Sequence, residues 1–60
     1  MTNTHAQLKT LEAQLWDAFN EVSRQAREAI TRNDVDTARD LISKADGIEM
    51  ARKMVMGLMS

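Results

Sequence analysis

The sequence predicts an all-α fold, an antiparallel two-helix hairpin that pairs with itself into a four-helix bundle. Three observations predict it. Among 60 residues there is no proline and there are two glycines, so little interrupts a helix. Apolar residues recur at three- and four-residue spacings on both sides of a single polar break, Thr31-Arg32-Asn33-Asp34. No alternating run of β-branched or aromatic residues marks a strand.

The first helix is predicted over about residues 4–32. Thr4 and Gln7 have the spacing of a capping box, in which each side chain meets a backbone amide at the helix start. The apolar stripe runs Leu8, Leu11, Leu15, Phe19, Val22, Ala26, Ile30, with steps of 3, 4, 4, 3, 4 and 4. That is an eleven-residue period, close to a straight helix. Ala18 and Ala29 lie beside the stripe. Lys9, Asn20, Arg24, Arg27 and Glu28 fall away from it, and Glu28 and Arg32 are placed for a helical ion pair.

At the break, Asn33 can adopt the left-handed conformation that ends a helix. Asp34 can then cap the next one, with Asp36 in its first turn where the helix dipole favours acid. A turn over residues 32–34 forces the helices to lie antiparallel as neighbours. The second helix is predicted over about residues 35–59. Its stripe is Ala38, Leu41, Ala45, Ile48, Val55 and Met59, flanked by Ile42, Ala51 and Leu58. Leu41, Ile48 and Val55 stand in heptad register. Asp40–Lys44 and Glu49–Lys53 are spaced for ion pairs. Arg52 stands at the stripe's edge, where its stem can cover apolar surface while its head reaches water or an acidic partner. Gly47, inside this helix, marks either a close helix crossing or a weak spot.

Length argues for self-association. A chain this short buries only ~60% of its unfolded surface, and small proteins compensate with disulfides, metals or oligomers. With no cysteine and one histidine, His5, disulfides and thiolate or histidine metal sites drop out. Each stripe is also wider than one seam covers. The expected assembly is a homodimer, with an interface formed by Leu8, Leu11, Leu15, Phe19, Val22, Ala26 and Ile30 on the first helix and Ala38, Leu41, Ala45, Ile48 and Val55 on the second.

Eight basic and nine acidic residues leave a formal charge of -1, which offers no global attraction to nucleic acid or an anionic membrane. No apolar run approaches a membrane span, and the polar N-terminus is no secretory signal. A complete, cytoplasmic small gene product is expected.

No catalytic constellation is evident. The hydroxyls of Ser23 and Ser43 lack a histidine at helical spacing, and His5 near the helix start reads as a solvated imidazole. There is no glycine-rich phosphate loop. Asp17–Glu21 and Asp36–Asp40 pair carboxylates one turn apart, but without further oxygen ligands they read as solvated faces. The chain is therefore expected to be no enzyme and to need no cofactor and no metal.

Three features point outward instead. Trp16, the single tryptophan, stands about 90° off its stripe, as a boundary residue or an interface anchor. Arg24, Arg27 and Arg32 gather near the end of the first helix, where a phosphate could bind. In architecture a dimer of such hairpins resembles the Rop-type plasmid regulators, which bind RNA through a helical face, and this analogy implies RNA or DNA as the alternative partner. Neighbouring Glu28, Asp34, Asp36 and Asp40 blunt that positive field. Finally, Met50, Met54, Met56 and Met59 make the last turns apolar almost all round. Such a segment either enters a bundle core or docks another protein through adaptable thioethers. The function expected from these features is a homo-oligomeric regulatory or adaptor module for protein–protein interaction.

Overall fold

The computed structural model describes residues 2–59, with side chains from residue 4 onward. The protein is all-helical. Helix α1 spans Thr2–Thr31 and helix α2 spans Val35–Met59, and the two pack against each other as a hairpin of 49 × 14 × 11 Å. No helix among the described residues is long and apolar enough to cross a membrane.

The turn is made by two residues with distinct chemistry. Asn33 has φ 65°, the left-handed conformation that ends α1. The Asn33 N–H donates to the Ile30 carbonyl at 2.9 Å, and the Asp34 N–H to the Ala29 carbonyl at 2.8 Å. These two bonds form a Schellman motif, which satisfies carbonyls that would otherwise be orphaned at the helix end. Asp34 also starts α2. Its carboxylate accepts the Thr37 N–H at 3.3 Å, and its carbonyl accepts the first helical bond from Ala38 at 3.0 Å. At the other end, α1 begins before Thr4, so Thr4 and Gln7 lie inside the helix rather than capping it.

The seam between the helices is narrow. Val22, Ala26 and Ala29 of α1 bury against Ala38, Ala45 and Val55 of α2, and among the described residues no large side chain is fully buried. Leu8, Leu15, Phe19, Leu41, Ile48 and Met59 are half-buried along its edges. Two members of the expected stripe lie outside the seam: Leu11 is 42% exposed and Ile30 59%, while Ala29 is 0% exposed. Helix geometry explains this. Leu11 and Ile30 stand 19 residues apart, which at about 100° per residue leaves them roughly 100° apart around the helix. One straight seam cannot hold both. Small residues at its centre let the backbones approach and leave the longer side chains on the flanks.

Other local expectations are corrected. Glu28 bonds Arg24 rather than Arg32, and Glu49 bonds Arg52 rather than Lys53. A Cβ added at Gly47 would meet nothing within 4 Å, so this glycine marks no close helix crossing. It is a weak spot in an exposed part of α2.

Candidate functional site

The most organised side-chain cluster joins the helices toward their open end. Glu12 and Arg52 lie 21 and 19 positions from Asn33 along the chain, nearly equidistant from the turn, so antiparallel packing brings them level. The Arg52 Nε donates to Glu12 Oε2 at 2.8 Å, and its Nη1 donates to Glu49 Oε1 at 3.0 Å. The same guanidinium lies 4.6 Å from the Trp16 ring centroid. There the negative face of the indole attracts it. Trp16 in turn stacks on Phe19, with centroids 6.0 Å apart and an interplanar angle of 13°. Trp16, off the apolar stripe, and Arg52, at its edge, thus stand on the same side of the hairpin. The signal that joins them is the hairpin register, counted outward from Asn33.

That side continues toward the turn as an apolar surface. Phe19, Ser23, Ala26, Ile30, Ile42 and Ala45 line one shallow groove between the helices, together with Arg27 and Asp46. A second, nearer the turn, shares Ile30 and Ile42 and adds Val35 and Ala38, with Asn33, Arg39 and Ser43. Two heptad-spaced rows account for this surface: Trp16, Ser23 and Ile30 on α1, and Val35, Ile42, Glu49 and Met56 on α2. Trp16, Ile30, Val35, Ile42 and Met56 are large apolar side chains that remain exposed. The rows flanking the other edge of the seam are different in kind. They read Leu11, Ala18, Gln25 and Arg32 on α1, and Thr37, Lys44, Ala51 and Leu58 on α2, so their turn half is polar.

No family model, no curated protein and no solved structure matches this chain.

The residues expected at an oligomer interface divide into two groups. Val22, Ala26, Ala38, Ala45 and Val55 are buried within the single hairpin. Leu11 and Ile30 are exposed, and Leu8, Leu15, Phe19, Leu41 and Ile48 keep partial exposure. Only this second group retains surface for another molecule.

Arg24, Arg27 and Arg32 line a shallow groove with Glu28 and Thr31. Arg24 is already engaged. It donates from Nε to Glu21 at 3.1 Å, and from its terminal nitrogens to both Glu21 and Glu28. Its hydrogen bond holds the Glu21 carboxyl below the usual glutamate value, and the same bond raises Arg24 above its own. A phosphate at this groove would meet the Glu28 carboxylate as well as three arginines, one of them already held by Glu21 and Glu28.

At the open end, Met50, Met54 and Leu58 are largely exposed, Met56 less so, and Met59 is half-buried. Among the described residues, no three His, Cys, Asp or Glu side chains are grouped as a metal would require.

Proposed function

We propose that the chain is a non-enzymatic, self-associating module, a cytoplasmic homodimer in which two hairpins form a four-helix bundle with a regulatory or adaptor role. The observation that carries this reading is the mismatch between core and surface. Among the described residues the core consists of Val22, Val55 and four alanines, while larger apolar side chains such as Ile30, Val35 and Ile42 stay exposed. A compact chain of 6.8 kDa would expose about 4,000 Å², whereas this hairpin exposes 4608 Å². Apolar burial is the dominant stabilising term in folding, and a second copy supplies what one hairpin lacks.

The adaptor part of the proposal rests on the Met-rich end. Met54 is 71% exposed, and flexible thioethers suit a surface that accommodates a partner. Nucleic-acid binding gains no comparable support, since Arg24 is tied to Glu21 and Glu28.

Sedimentation equilibrium tests the central claim. The expected mass is twice the 6.8 kDa of the chain. A folded monomer at micromolar concentration, helical by circular dichroism, would overturn it.

A further inference from the structure

We infer that the second copy covers the side of the hairpin that carries Phe19, Ile30, Val35 and Ile42, in a two-fold pair whose turn ends lie together. This rests on the self-association reading and specifies its geometry.

The choice of side follows from the flanking rows. Near the turn, one side presents Ile30, Val35 and Ile42, with Arg27, Arg39 and Asp46 also lining its grooves, and the other presents Gln25, Arg32, Thr37 and Lys44 with no large apolar side chain in that half of those rows. Association that buries the first side removes apolar surface from water. The second offers no comparable aliphatic surface in that half, and burying it would strip water from Arg32 and Lys44.

The extent of the contact follows from area. A hairpin of 49 × 14 Å projects about 700 Å² on its broad side, close to the ~800 Å² per partner of a stable interface. A contact at one end would supply only part of this. The two copies must therefore lie side by side along most of their length, either with turn ends together or with turn ends opposed.

The polarity along the side decides between them. The branched aliphatic side chains Ile30, Val35 and Ile42 lie in its turn half, whereas its open half carries Glu12, Glu49 and Arg52 beside Trp16. Opposed turns would lay Ile30, Val35 and Ile42 of one copy over the charged cluster of the other. That would desolvate two carboxylates and a guanidinium against partners unable to hydrogen-bond. Turn ends together match aliphatic with aliphatic. They also bring the two Arg52 clusters level across the axis, where guanidinium N–H groups beyond those given to Glu12 and Glu49 can reach carboxylates of the other copy. Such a contact is isologous and closes at two copies.

The test uses the full chain, which has no native cysteine to confuse labelling. An Arg32→Cys variant carries one nitroxide at the turn, and pulsed dipolar spectroscopy measures the distance between copies. Turn ends together predict roughly two to three helix diameters, ~20–30 Å. A distance near the 49 Å hairpin length overturns the geometry while leaving self-association standing. A monomer mass without dipolar coupling overturns self-association itself. A second measurement addresses the side. Ile42→Asp should weaken the dimer at least about a hundredfold, because each copy then buries an unpaired charge. Lys44→Asp, on the opposite side, should leave the dimer as tight as before. An undiminished dimer in Ile42→Asp, or equal weakening in both variants, overturns the assignment.

Discussion

Replacing Arg52 with Met isolates the cluster that ties the open end together. Methionine keeps an unbranched apolar stem, so packing along Trp16 is largely retained while the charge is lost. In the native protein Arg52 is 21% exposed, Glu12 23% and Glu49 26%, so the ion pairs are neither free in water nor fully desolvated. Exposed pairs contribute ~0.2–1 kcal/mol, and removing one partner of a buried pair costs ~3–5 kcal/mol. Quarter-exposed groups fall between these bounds. The loss also includes a guanidinium–indole contact of about 0.5–1 kcal/mol and leaves two carboxylates without their shared cation. Together these place the destabilisation near 2 kcal/mol. For a domain of this size that lowers the melting temperature by roughly 15 °C. Thermal unfolding followed by circular dichroism at fixed protein concentration measures it, because association makes the midpoint concentration-dependent. Pairing Arg52→Met with Glu12→Gln in a double-mutant cycle should yield a coupling of about 1 kcal/mol. A single-variant melting temperature within a degree or two of the wild type would refute the reasoning, since it would mean that water already screens the cluster.

Two further outcomes follow from the helices and the turn. Gly47→Ala should raise stability by about 1 kcal/mol, because the new methyl meets nothing within 4 Å and the helix loses its most flexible interior residue. A lower unfolding midpoint in urea would show that this position is packed after all. At the turn, the Thr37 hydroxyl, and then the Thr37 N–H, hold the Asp34 carboxyl below its ordinary value of 3.8. A depressed folded value means that the unfolded chain takes up the proton first. The stabilisation is therefore complete above the ordinary aspartate range and is lost as pH falls through the folded value. Asp34→Ala should accordingly melt well below the wild type at pH 7, and the gap should narrow as the pH is taken below that range. A gap that stays constant with pH would remove the carboxylate from the capping role.

The hairpin itself is legible in the sequence because Asn33 and Asp34 have local requirements that few other residues meet. One takes the left-handed conformation and the other caps, and each does so in the structure. The rotation of each helix about its own axis is less legible. A run of apolar residues at three- and four-residue steps shows that one face is apolar, but not which part of it meets the neighbouring helix. Ile30 and Ala29 are adjacent in sequence, and a preference for bulk favours Ile30 at the seam. Close approach of the backbones instead places Ala29 there and leaves Ile30 outside. The tie between Glu12 and Arg52 is hidden for a related reason. Arg52 stands at its stripe's edge, where an acidic partner is open to it, but that the partner is Glu12 emerges only from the register that the turn imposes. Small residues at the centre of the seam and large ones on its flanks are thus two consequences of a single packing choice. The alanines draw the helices close, and the longer apolar side chains they exclude stand on the flanks, Ile30, Val35 and Ile42 on one and Leu11 and Leu58 on the other. A stripe broader than its seam is accordingly more than surplus hydrophobicity. Its small residues mark the contact inside the chain, and its large residues mark where the next contact is expected.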